Sequence, residues 1–258
     1  MKIVMIGAGK LATQLGKALV LARHEVLQVY SRTWESAVTL ASCLQAVPII
    51  RLDDLVINAD LYILSVKDSV LAELIPQVCN GRKDKCFVHT AGSLPMDLFQ
   101  GEALGYGVFY PMQTFSKERD VDFSHIPCFV EGSDTRVLTI MEEMAESMGS
   151  TVYRLDSEQR KYLHLAAVFA CNFTNHCYAI AEELLRIHAI PFEVMLPLID
   201  ETARKVHEFS PSQAQTGPAV RYDKNVICAQ SDLLSEHPYL QEIYHLMSQN
   251  IHRKYSTT

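Results

Sequence analysis

Apolar residues along this chain fall into two regimes. In the first part they come as short runs at 3–6, 26–30, 61–66, 86–90, 106–110, 127–130 and 151–153, with a shorter one at 48–50. Such runs predict strands buried on both faces. Between them, apolar residues recur at three- and four-residue spacing and predict helices near 11–19, 34–44, 68–75 and 134–148. Asp68 is expected to cap the third of these. Strands alternating with helices in this way predict a mostly parallel, doubly wound α/β sheet.

The strand pattern stops near Asp156-Ser-Glu158. Residues 158–188 contain neither Gly nor Pro and are apolar on nearly every side, which predicts one long helix buried in the middle of something. Further helices are expected at 192–209, 224–234 and 238–253, separated by Ser210-Pro-Ser and Thr216-Gly-Pro218. The expected organisation is a nucleotide-binding α/β domain over 1–155 and an all-helical domain over 156–258.

The first strand carries the chemistry. Ile3 to Ile6 run into Gly7-Ala8-Gly9-Lys10-Leu11-Ala12, and an apolar-periodic helix follows at once. In that setting Gly7 permits a tight turn, Gly9 lets backbone approach a pyrophosphate, and Ala12 keeps the helix close to the sheet. Free N–H groups at the helix start then face the phosphates. An NAD enzyme would carry an acid at the end of strand two. Here Ser31-Arg32-Thr33 stands there instead. A guanidinium and two hydroxyls suit a 2′-phosphate, so NADP is favoured over NAD, the alternative being that Arg32 only solvates a loop.

Ligands of open α/β sheets bind outside the carboxyl ends of the strands, which singles out three more segments. In Ser65-Val66-Lys67-Asp68, Lys67 is placed to meet the cofactor, or the segment serves only to start a helix. In His89-Thr90-Ala91-Gly92-Ser93, Gly92 allows close backbone approach. There His89 is either a satisfied strand-end residue or a proton donor. In Tyr110-Pro-Met-Gln-Thr114, Gln113 and Thr114 are candidates to bond a substrate, or Pro111 merely shapes a loop. The long helix adds His164, Asn172, Asn175 and His176, polar groups that need partners when buried, either a substrate at the domain cleft or neighbouring loops. Asn172 is the one singled out to orient a substrate. No metal-ligand spacing is present, and no metal is expected.

Composition narrows the partners. A net charge of −7 and a pI near 5.8 argue against nucleic acid and anionic membranes. Seven scattered cysteines without a Cys-x-x-Cys pair read as reduced residues of a cytoplasmic protein. No apolar run approaches the roughly 18 residues of a membrane span, and no signal-peptide pattern opens the chain.

These motifs resemble the superfamily of pyrroline-5-carboxylate reductase, the β-hydroxyacid and 6-phosphogluconate dehydrogenases, and the F-420-dependent NADP oxidoreductases. The closer resemblance is to bacterial proteins that pair a Rossmann-like domain with a helical domain of unknown function of the 2520 type. It rests on His89-Thr-Ala-Gly-Ser93, Tyr110-Pro-Met-Gln-Thr-Phe115, Ala170-Cys-Asn172-Phe and Thr216-Gly-Pro-Ala-x-Arg221-x-Asp223. The resemblance implies an NADP-binding Rossmann domain, a cleft between the domains, and a homodimer formed through the helical half. It also exposes a departure. The β-hydroxyacid dehydrogenases use Lys-x-x-x-Asn on the first long helix of the second domain, whereas Val168 stands four residues before Asn172 here. The expectation is an NADP(H)-dependent oxidoreductase acting on a small C=N or C=O substrate, with imine reduction gaining from the missing lysine. Its alternative is a non-catalytic NADP-binding sensor or regulatory protein.

Overall fold

The computed structural model describes residues 1–255. Strand β1 (Lys2–Ile6) lies inside the sheet, and Ile3, Val4, Met5 and Ile6 are fully buried. Because side chains alternate along a strand, Ile3 and Met5 join one core and Val4 and Ile6 another, one on each face. Helix α1 (Lys10–Leu21) turns Ala12, Leu15 and Leu19 into the first of these cores. Each large aliphatic side chain buried this way contributes about 1.5–3 kcal/mol.

The chain continues through β2 (Glu25–Tyr30), α2 (Trp34–Leu44), β3 (Val47–Ile49), β4 (Leu61–Leu64), α3 (Asp68–Cys79) and β5 (Cys86–His89). It then runs through β6 (Gly105–Pro111), β7 (Cys128–Gly132), α4 (Thr135–Ser147), β8 (Val152–Arg154) and α5 (Ser157–Ala167). The eight strands form one sheet in the order β3-β2-β1-β4-β5-β6-β7-β8. All pairs are parallel except β6 with β7. A parallel pair needs a crossover connection, whereas β6 and β7 are joined by a loop containing only the short turn Phe123–His125. The expected doubly wound α/β sheet is present. Its connections reverse direction beside β1, which pairs with β2 on one side and β4 on the other.

Two compact units are found, residues 1–171 and 172–258. A helix starts beyond 155 as expected, but α5 belongs to the first unit. The reason is polar bonding: Ser157 and Arg160 bond Glu131, and Arg160 also bonds the Leu94 carbonyl. The expected long helix is not regular throughout. A π-helical segment, Val168–Phe173, separates α5 from α6 (Thr174–Ile187). Nor is it buried. Tyr162 is 73% and Phe169 61% exposed, and the buried residue on α5 is the charged Arg160.

The second unit continues with α7 (Leu196–Glu208), α8 (Pro211–Ala214), α9 (Pro218–Arg221), α10 (Lys224–Asp232) and α11 (Pro238–Tyr255). The three longer helices match the expected stretches. The short α8 and α9 begin with proline, whose fixed φ suits a first helical position. Its described residues contain no strand. No helix among the described residues is long and apolar enough to cross a membrane.

Candidate functional site

At the carboxyl ends of β1, β2, β4 and β5 the first unit forms a groove of about 790 Å³. Its floor is the turn after β1. Gly7 has φ +118°, and a Cβ there would lie 2.0 Å from the Ser65 carbonyl oxygen, so no other residue fits. Its N–H donates to the Tyr30 carbonyl at 2.8 Å, tying the turn to the end of β2. Gly9 lines the groove, and a Cβ built on it would meet nothing within 4 Å. It is also the N-cap of α1, with no side chain satisfying the N–H groups behind it. The helix therefore presents unpaired donors and the positive end of its dipole beside open space.

Three cations border this space: Lys10, Arg32 and Lys67. Arg32 is exposed, and among the described residues no carboxylate forms an ion pair with it. Of the residues singled out from sequence, Gly7, Ala8, Gly9, Lys10, Leu11, Ser31, Arg32, Ser65, Val66, Lys67, Thr90, Ala91 and Gly92 all line the groove. Ala12 does not, because it is packed at 0% exposure against the sheet, as its spacing role requires. Thr33 does not either, since its hydroxyl turns to Ser36 at 2.9 Å. Asp68 is not a cap. It is the first residue of α3 and accepts a hydrogen bond from Ser93 Oγ at 2.6 Å.

His89 is placed where a proton donor to a ligand cannot be. It is fully buried, its Nδ1 accepts from the Ala91 N–H at 3.1 Å, and its Nε2 meets the Pro95 carbonyl at 3.2 Å. These contacts fix the tautomer with the proton on Nε2. Burial pushes its pKa down to about 4, so the ring is neutral at ordinary pH. It serves the loop from β5 to Pro95 as an internal brace, stacked on Phe99.

The groove instead ends at two residues that the sequence reading left out of the catalytic set, Tyr110 and His164. The Tyr110 hydroxyl lies 3.0 Å from His164 Nδ1, with the rings edge to face. Gly92 makes room for them: a Cβ there would come within 2.6 Å of His164 Nδ1 and 3.0 Å of the Tyr110 ring. Burial raises the Tyr110 pKa above its usual value, with the Arg160 charge lowering it and Asp68 raising it by smaller amounts. The phenol is therefore protonated at neutral pH. Gln113 and Thr114 stay outside the groove, Gln113 Oε1 accepting from the Thr114 N–H.

Sequence reading also missed Tyr30, Ser36 and Leu52, and the wall formed by α3. Val70, Glu73, Leu74 and Gln77 line the groove from one helical face, a signal present in their i, i+3, i+4, i+7 spacing. Asn172, Asn175 and His176 lie in the second unit and are exposed. Among the described residues no cluster of three or more His, Cys, Asp or Glu is arranged to hold a metal.

Residues 1–104 match the description of a Rossmann-like domain, and residues 126–251 match that of a domain of unknown function, DUF2520. A candidate NADP oxidoreductase of Bacteroides fragilis is 54% identical over 98% of this chain and 98% of its own, with a TM-score of 0.94. An imine reductase of Myxococcus stipitatus, solved with NADP+, is 16% identical over 100% of this chain and 95% of its own, TM-score 0.74. A 1-pyrroline-5-carboxylate reductase of Streptococcus pyogenes is 13% identical over 98% of each chain, TM-score 0.64. At such identities the last two share the fold alone. A search of curated proteins finds no match.

Proposed function

We start from the fact that this chain belongs to the family joining a Rossmann-like domain to DUF2520, and we propose that it is an NADP(H)-dependent oxidoreductase. Its substrate is a small molecule bearing a C=N or C=O bond. The observation that carries this reading is the groove itself, which runs from an uncapped helix start and an unpaired Arg32 to a protonated phenol.

The residues present fit the cofactor. Gly7 to Leu11 would hold the pyrophosphate, because Gly9 leaves space there and α1 offers free donors. Arg32 and Ser31 would hold the 2′-phosphate, the face of α3 from Val70 to Gln77 would flank the adenosine, and Ser65 to Lys67 with Thr90 to Gly92 would flank the remainder. NADPH, when bound, supplies the hydride. The protein supplies the proton. Tyr110 would give its proton to a developing nitrogen or oxygen anion, and His164 Nδ1, 3.0 Å away, would hold the hydroxyl in place. This pair takes the part that His89 was expected to play. Asn172 is retained as a residue that orients substrate without exchanging protons. The proposed setting is a cytoplasmic homodimer. All seven cysteines are free, which suits a reducing compartment.

Titration of NADPH and NADH into the wild type and Arg32→Ala tests the reading. Loss of one charged partner of a phosphate should weaken NADPH by about 1.5–3 kcal/mol, roughly 10- to 150-fold, and leave NADH unchanged. Equal affinity of the wild type for both cofactors would overturn it. Hydride exchange from stereospecifically deuterated NADPH, with a panel of imines and keto acids, then separates an enzyme from a sensor.

A further inference from the structure

Helix α5 is seated on the rest of its own unit in an unusual way. Its buried residue is Arg160, at 1% exposure, while Tyr162 and Leu165 on the same helix are 73% and 51% exposed. A charge, rather than an apolar face, fills the contact. Arg160 Nη1 pairs with Glu131 Oε2 at the end of β7, and Nη2 donates to the Leu94 carbonyl at 2.6 Å. Ser157 reinforces the arrangement. Its N–H and hydroxyl donate to Glu131 at 2.9 and 2.8 Å, and its Oγ accepts from Met96 N–H at 3.3 Å. Three segments are thereby locked to one another: the end of β7, the loop after β5, and the first turn of α5.

One helical turn beyond Arg160 stands His164, against Gly92 and Tyr110. The same loop that receives Arg160 at Leu94 carries Gly92. A shift of α5 along its axis would therefore move His164 relative to both of its neighbours in the groove.

Stability alone does not explain this choice of residue. A buried ion pair is often no more stabilising than well-packed apolar residues of similar volume. Here the arrangement also leaves Arg160 Nε buried without a hydrogen-bond partner, a cost that an apolar residue would avoid.

We propose that Arg160, held by Glu131, is the positioning residue that sets His164 and Tyr110 in register at the reactive end of the groove. The proposal rests on the oxidoreductase reading in assigning that end its chemistry. The Arg160 charge acts on the Tyr110 hydroxyl as well, favouring its ionised form, and Asp68 is the opposing charge there.

The test is spectroscopic and needs no substrate. The variants are Arg160→Lys, and the double apolar replacement Arg160→Met with Glu131→Leu, which removes the charges without stranding a partner. Each is assayed for NADPH affinity, for the nitrogen resonances of His164 assigned by loss in His164→Gln, and for Tyr110 ionisation assigned by difference from Tyr110→Phe. The expected result is that both variants fold and bind NADPH within about twofold of wild type, since the cofactor contacts lie elsewhere. The His164 Nδ1 signal should lose its hydrogen-bonded shift in both. Tyr110 ionisation should move up in the double variant and be restored towards wild type by Arg160→Lys, which returns the charge but not the two-pronged donor. Unchanged His164 and Tyr110 signals in the folded double variant would overturn the proposal. If the double variant does not fold, Ser157→Ala removes one support of the same lock, and an unchanged His164 signal there also overturns it. Failure of the oxidoreductase reading would look different, as absent NADPH binding in the wild type.

Discussion

His89 shows how one residue changes its meaning when its surroundings are known. A histidine ending a strand in a nucleotide-binding sheet invites a catalytic reading, and nothing adjacent in sequence argues otherwise. Its ring is enclosed by segments such as Pro95 and Phe99, and that enclosure is a property of the loop's path. The place of Arg32 at the groove was legible for the opposite reason: it depends on its distance from the glycines along one βαβ unit. Tyr110 and His164 meet across 54 residues of chain, so no local spacing could announce them. Burial of His89 has a measurable consequence. The unfolded chain takes up its proton near the ordinary value of 6.5, whereas the folded protein resists until about 4. The unfolded state thus binds more protons in that window. Stability from this residue is complete above pH 6.5 and is lost as pH falls towards 4, by up to about 3 kcal/mol. Denaturant unfolding at pH 7 and 4.5 should show a smaller difference for His89→Gln than for the wild type. An identical pH dependence would contradict the brace.

Among the elements, strands were the most readable, because runs such as Ile3 to Ile6 are buried on both faces and leave little ambiguity. The direction of β7 was not readable, since it follows from how the chain returns from β6 rather than from the composition of either strand. The π-helical segment Val168–Phe173 was likewise invisible in an apolar pattern that fits an α-helix. Such segments interrupt regular i→i−4 bonding and are frequent at functional sites. Asn172 lies within this one. If it orients substrate, Asn172→Ala should reduce turnover while NADPH affinity stays within about twofold, because the groove residues that meet the cofactor are untouched. Steady-state kinetics beside a cofactor titration would check this. Unchanged turnover would return Asn172 to a structural role.

At the scale of the whole molecule, the helices from α5 onward leave large apolar side chains in solvent. Leu165, Leu198, Val206, Phe209 and Leu246 are 50–60% exposed in a single chain. Exposed apolar surface of this kind marks association. Light scattering at tens of micromolar should therefore give twice the mass of one 29.0 kDa chain, and a clean monomer would remove the proposed dimer.

The borders of the sheet limit how that association can occur. An open sheet presents unpaired backbone groups along its outermost strands and can recruit another chain there. Here both outermost strands, β3 and β8, are three residues long; one contains Pro48, which has no N–H to offer, and the other ends in Arg154, held by Glu142. Both are poor templates for strand addition, which leaves the proposed dimer to the helices, and a partly unfolded chain finds no long edge on a folded one from which cross-β growth could start.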